Sequence, residues 1–332
     1  MGDIVGKIIF YVAILFIMML PGVILKKFRL SSDGFGKGIS NLVLYIAQPA
    51  LVFLAYVRPY DKEILINSAY VLLISVLMHT VFAFTAIITF KRAEDSARRM
   101  LRFATVFSNA AFMGIPLIEA TVGSEATIYA TVYNITFNIF LWSLGVYFCT
   151  SKRDMDRDGD VDTKKERLSF IGKALTKAFL HPVTIAAFLG IIFFIFPIDD
   201  KIPAVISESL VMLKNLVAPL AMVVIGLRLA DIDLKSFFKD FYMYVFLALR
   251  HFILPIVTVL ILALLKLIGV PISETVFVVL VIMAATPAAT SATMFAEMYG
   301  CDAPYVSKLV AASTILSIAS MPLVILFSKL FI

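Results

Sequence analysis

The sequence predicts an all-α membrane protein, with ten transmembrane helices as two inverted five-helix repeats and broken crossover helices 4 and 9. Three observations predict it. Of 332 residues, 61% are hydrophobic and only 16% charged, and the mean hydropathy is +0.98. A soluble chain is roughly 45–50% apolar and roughly 25% charged, and one soluble core of this size does not hide so many apolar side chains. The apolar residues fall in ten runs, each near the roughly 20 residues a helix needs to span lipid. One long polar stretch, 151–177, divides the ten runs into five and five. This composition excludes an ordinary cytosolic enzyme, a disordered chain and a disulfide scaffold. The net charge of +6 lies between the apolar runs, so the partner it indicates is the lipid bilayer and not nucleic acid.

The first run, 4–25, follows Asp3 where a secretory leader would be basic. Its Leu20-Pro21-Gly22 offers no small-x-small cleavage site, so it reads as a retained span. The others are 38–57, 64–90, 101–119, 125–149, 176–197, 205–227, 240–268, 273–298 and 305–331. None alternates with period two, which excludes a strand barrel. Loops after runs 1, 3, 5, 7 and 9 hold 21 of the 29 Lys and Arg, against 6 in the other loops and tails. The positive-inside rule then places the first set in the cytoplasm and both termini outside a plasma or inner membrane. The expected organisation is a first repeat over 1–150, a cytoplasmic linker over 151–177 and an inverted second repeat over 178–332.

Five is odd, so two homologous halves insert with opposite orientation, as in many secondary transporters. Pro49 and Pro219 are 170 residues apart, Pro116 and Pro287 171, and His79 and His251 172. Run 4 carries Ser108-Asn109-Ala110-Ala111-Phe112-Met113-Gly114-Ile115-Pro116-Leu117. Run 9 carries Ala284-Ala285-Thr286-Pro287-Ala288-Ala289-Thr290-Ser291-Ala292-Thr293. Proline removes a backbone N–H and clashes with the turn before it. Gly114 eases unwinding, and Thr286 stands where an N-cap would. Each run then reads as two half-helices, with Pro116 and Pro287 opening the second halves. In an inverted repeat the breaks meet near the midplane. Two helix N-termini converge there and favour an anion. The expected partner is a small anionic substrate, most simply a carboxylate. Its binding set is Asn109, Gly114, Ile115, Pro116, Thr286, Pro287, Ala288, Thr290 and Ser291.

Asn134 and Asn138 share one helical face, and they line the pathway or bond helix to helix. Gln48 beside Pro49 reads the same way. Ionisable groups within or at the ends of spans are functional candidates. Lys214 or Arg250 would add positive charge for a carboxylate. His79, His251, Glu119 or Glu297 would carry a coupled H+. For any one of them a snorkelling or structural role is the reading that comes first. The spans hold no dense carboxylate cage for Na+, although carbonyls at unwound helices bind that ion too. Asp154, Asp156 and Asp158, followed by Gly159, resemble the start of a calcium-binding loop. Position 12 of that loop is Lys165 instead of Glu, so a solvated acidic cluster balancing its basic neighbours is the preferred reading. Cys149 and Cys301 form no metal motif. No GxSxG, HExxH or P-loop is present, so neither an enzyme nor a cofactor is expected.

At these residues the sequence resembles the auxin efflux carrier family of membrane transporters over nearly its whole length. Ser108-Asn109 leading to Met113-Gly114-Ile115-Pro116-Leu117, and Ala285-Thr286-Pro287-Ala288, carry the resemblance most specifically. Gln48-Pro49-Ala50-Leu51, Ala218-Pro219-Leu220 and Ser313-Thr314-Ile315-Leu316-Ser317 through Met321-Pro322 support it. The resemblance implies crossed broken helices, a scaffold bundle, a mobile transport bundle and elevator-like alternating access. It also implies a homodimer and a site at Asn109 with the breaks at Pro116 and Pro287. Prokaryotic relatives are associated with acids such as malate or malonate, and plant ones with auxin. The long cytoplasmic insert of many plant members is absent, so auxin is not the expected substrate. Two alternatives stand: a sodium-coupled organic-anion symporter of related fold, and a non-transporting membrane receptor for such a ligand.

Overall fold

The computed structural model describes residues 4–32, 34–150, 172, 176, 179–196, 202–230 and 240–332. Among the described residues, twelve helical segments are named here in order. They are α1 (Val5–Lys27), α2 (Phe35–Tyr56), α3 (Lys62–Thr89), α4 (Asp95–Val106), α5 (Ala110–Thr121) and α6 (Thr127–Cys149). After the linker come α7 (Pro182–Ile195), α8 (Ala204–Leu229), α9 (Phe241–Leu267), α10 (Glu274–Ala285), α11 (Ser291–Met298) and α12 (Ala303–Ser328). Seven of these, α1, α2, α3, α6, α8, α9 and α12, are long and apolar enough to cross a membrane. Among the described residues there is no strand. The Asp154, Asp156 and Asp158 cluster and most of 151–177 lie outside the described residues.

The chain is arranged for lipid. Leu73 and Phe84 on α3 are each 67% exposed, and Ile17, Leu20, Phe10 and Ile88 also face outward. Gln48, Ser75, His79, Asn109, Asn134 and Thr258 are buried instead. Polar side chains inside and large apolar ones outside invert the soluble pattern. The chain is a multi-pass membrane protein.

Local sequence explains the helix ends. The Asp61 carboxylate accepts from the Glu63 and Ile64 N–H groups to start α3. Ser273, Asp302 and Asp240 do the same at α10, α12 and α9. These side chains satisfy donors that the first helical turn leaves unpaired. The prolines inside helices behave differently from the sequence expectation. The π-helical stretches Val43–Ala47, Ala110–Gly114 and Leu249–Ile253 each end two residues before a proline, at Pro49, Pro116 and Pro255. A proline ring clashes with the carbonyl four residues earlier, and a wider turn ahead of it relieves that clash. The helices therefore continue through these prolines.

The helices sort into two packed groups. In one, α2 packs on α7 and α8, and α1 on α8. In the other, α3 packs on α4 and α6, α9 on α10, and α12 on α10 and α11. The α1–α8 contact is backbone on backbone. A Cβ at Gly226 would lie 2.0 Å from the Met19 carbonyl oxygen, and one at Gly22 2.1 Å from that of Val223.

Candidate functional site

The two broken helices are α4–α5 and α10–α11. At the end of α4, Phe107 is extended (φ −93°, ψ 116°), and so is Thr286 at the end of α10 (φ −61°, ψ 149°). Unwinding frees backbone groups that a buried site must pair. Each segment pairs the other. The Asn109 N–H donates to the Pro287 carbonyl at 2.7 Å, and the Ala289 N–H to the Phe107 carbonyl at 2.9 Å. Ser108 thus faces Ala288 in an antiparallel bridge. The remaining Ala288 N–H donates to Ser313 Oγ of α12 at 2.9 Å.

This geometry moves the first break. Pro116 does not open a half-helix: α5 begins at Ala110, and Pro116 follows the π turn within it. Gly114 is helical too, with φ −65°. A Cβ there would meet Met283 Sδ of α10 at 2.7 Å, so this glycine serves close packing and not unwinding. Pro287 lies inside the second break, ahead of α11. Thr286 ends α10 and does not cap α11, because the break continues four more residues; its hydroxyl donates back to Met283 O. Since Ser108 faces Ala288, Pro116 and Pro287 are not positional equivalents at the crossing.

A cavity of about 90 Å3 opens beside the crossing. Six sequence-predicted residues line it: Gln48 of α2, Asn109, Asn134 and Asn138 of α6, Thr290 and Ser291. Asn134 and Asn138 are one helical turn apart and so present both amides to one space. Gly114, Ile115, Pro116, Thr286, Pro287 and Ala288 do not line it. The first three pack inside α5, and the last three form the crossing behind the cavity.

The lining residues outside the expected binding set include the polar Ser40, Ser108, His181 and Arg228. Arg228 matters most. It occupies the last turn of α8 and donates from Nη1 to the Thr290 carbonyl. Among the described residues it is the sole Lys or Arg lining the cavity, and no described Asp or Glu lines it. At the end of an apolar run it reads as a loop cation; its one distinguishing signal is the pair Leu227 and Leu229 on either side. Around it, Ser108 Oγ, Asn109 Nδ2, Asn134 Oδ1 and Gln48 Oε1 are buried and form no hydrogen bond within the protein. The first turns of α5 and α11 border the same space, and first-turn N–H groups have no intrahelical acceptor. The arrangement combines one guanidinium, two helix N-termini and neutral amides, which is the chemistry of an anion site.

The remaining candidates sit elsewhere. His79 is buried against the Tyr133 and Phe140 rings, with Nδ1 2.7 Å from the Ser75 carbonyl. His251 lies between Ser313 Oγ and Ser320 Oγ, 2.8 Å from each. Lys214 of α8 forms an ion pair with Glu119 of α5. Glu297 is exposed on α11 and does not line the cavity, but its charge lies within electrostatic range of Arg228. Arg250 is wholly buried and bonds to backbone carbonyls at the ends of α4 and α10. Among the described residues, no group of three His, Cys, Asp or Glu is placed to hold a metal.

Comparison with known proteins places the chain among membrane transporters. A family model described as membrane transport protein matches residues 7–325. An uncharacterized transporter of Methanothermobacter thermautotrophicus is 25% identical over 309 residues, covering 92% of this chain and 94% of that protein. An uncharacterized transporter of Methanocaldococcus jannaschii is 25% identical over 231 residues, covering 68% and 70%. With its matched span running from the first helix to the last, the chain belongs to the auxin efflux carrier family of membrane transport proteins.

Proposed function

We propose that this membrane transporter moves a small organic anion, a carboxylate of the size of malate or malonate, by elevator-like alternating access. The observation that carries the reading is the charge of the cavity: among the described residues, Arg228 is the one charged side chain that lines it and no carboxylate does. A carboxylate accepting from Arg228 and Asn109 would gain charge-assisted hydrogen bonds and the field of two helix N-termini.

In this reading the chain spans the membrane ten times. The three interrupted or short segments α4–α5, α7 and α10–α11 supply the spans beyond the seven long helices. Each half contributes two helices to the α1, α2, α7, α8 group and one broken helix to the crossing, which supports an inverted repeat. The α1, α2, α7, α8 group is the scaffold and the dimerisation surface, and the other group is the moving bundle. The cavity lies between them, because α2, α7 and α8 line one wall and the crossing with α6 the other. Positive-inside counting puts the Arg228 end of α8 at the cytoplasmic face. The site therefore faces inward, and the Lys214–Glu119 pair ties α5 to α8 on the outer side.

Proteoliposomes loaded with a small carboxylate test the reading by counterflow of the labelled acid. Asn109→Ala is expected to weaken apparent affinity about tenfold or more, the scale of one hydrogen bond to a charged group. Transport and affinity unchanged in Asn109→Ala would contradict the site. The outer closure has its own test. With Cys149 and Cys301 replaced by Ser, Ser291→Cys should react with an impermeant maleimide from the cytoplasmic face. Adding Glu119→Gln is expected to raise labelling from the outer face several-fold. No change on either face would contradict a closing role for the pair.

A further inference from the structure

Arg250 is among the largest wholly buried side chains, with 0% exposure, yet it does not line the cavity. Among the described residues, its guanidinium hydrogen-bonds to backbone oxygens alone. Nη1 donates to Thr105 O at 3.1 Å, Nη2 to Ala284 O at 2.9 Å and to Thr286 O at 2.8 Å, and Nε to Thr286 O at 3.1 Å. Thr105 is in the last turn of α4, and Ala284 and Thr286 lie at the end of α10. These are the C-terminal ends of the two broken helices. Among the described residues, no Asp or Glu forms an ion pair with it.

A buried cation without a carboxylate partner is costly unless something else balances it. Here the helix ends do. Each helix C-terminus carries about half a negative charge, so the two together offset roughly one guanidinium. Convergent carbonyls at unwound helices are also the usual way a membrane protein coordinates a monovalent cation. The same oxygens cannot hold both. The α9 π stretch Leu249–Ile253 carries the side chain into this place.

We propose that Arg250 is a tethered cation that permanently fills the carbonyl cage at the crossing, so that removing its side chain turns the cage into a site for a small monovalent cation. The intact protein then takes no Na+ there, and its transport does not depend on Na+ at this point. This deepens the transporter reading by separating it from a sodium-coupled symporter, but the stability readout below does not require transport.

The test is thermal unfolding of the purified protein in Na+, choline or millimolar guanidinium at constant ionic strength. Wild type and Arg250→Lys are expected to melt at the same temperature in Na+ and choline. Arg250→Ala is expected to melt lower, and to regain several degrees in a saturable way with guanidinium or Na+ but not with choline. A side chain that only fills space predicts no such rescue. Arg250→Ala insensitive to cation identity would overturn the proposal. If Arg250→Ala does not fold, wild type decides: a saturable, Na+-specific rise in its melting temperature overturns the proposal, and equal melting in Na+ and choline supports it. Cation rescue without carboxylate transport would sink the transport reading and leave this one standing.

Discussion

Arg228→Ala is expected to weaken carboxylate binding by roughly 30- to 1,000-fold, the equivalent of about 2–4 kcal/mol. Three effects act together. The cavity loses its positive side chain, the Thr290 carbonyl loses a donor, and Asn109 and the two helix N-termini are left to hold the anion without a guanidinium. Arg228→Lys keeps the charge but not the planar two-pronged donor, so its loss should be intermediate. Equilibrium binding of a labelled carboxylate to the purified protein measures all three forms. Equal affinity in wild type and Arg228→Ala would remove Arg228 from the site. Folding should survive the change, because the side chain borders a cavity and is not enclosed in the core.

Gly226→Val is expected to cost about 3 kcal/mol or more of stability, since overpacking against a fixed backbone cannot be relieved by a rotamer change. The Cβ would meet the Met19 carbonyl at 2.0 Å, a distance real contacts never reach, so α1 and α8 must separate. Both belong to the group that the cavity wall depends on. Gly38→Ala in α2 is the control. A Cβ there meets nothing within 4 Å, and alanine is the better helix former by about 0.5–1 kcal/mol. Thermal unfolding should show a large drop for the first and none for the second. Equal behaviour of the two would show that the close α1–α8 contact does not hold the scaffold.

The helical architecture was legible because lipid imposes long apolar runs, and hydropathy reads those directly. The neutral lining was legible for a related reason: Gln48, Asn109, Asn134 and Asn138 interrupt apolar runs where an amide has no solvent to face. The exact break was not. Proline marks where a helix loses a hydrogen bond, but a π turn ahead of Pro116 absorbs that loss, and the true break at Phe107–Asn109 contains no proline or glycine. Its cause is tertiary, namely the reciprocal bonds with Pro287 and Ala289. Arg228 was not legible because a cation at a helix end resembles any loop cation until the facing wall is known. Arg250 was legible as a candidate, with a structural contact weighed ahead of a substrate-binding one. Sequence shows a charge within a span but not that carbonyls, and no substrate-lined space, receive it.

The central claim is that the cavity beside the crossing binds a carboxylate through Arg228. The most direct measurement is the melting temperature of purified wild type and Arg228→Ala, titrated with small mono- and dicarboxylates and with their neutral amides. A ligand that binds only the folded state raises stability in proportion to the logarithm of its concentration over Kd. The account predicts that at least one carboxylate raises the wild-type melting temperature in a saturable way. Its amide should not, and the rise should vanish in Arg228→Ala. Stabilisation by the amides to the same extent, or stabilisation by a carboxylate that persists undiminished in Arg228→Ala, would contradict it.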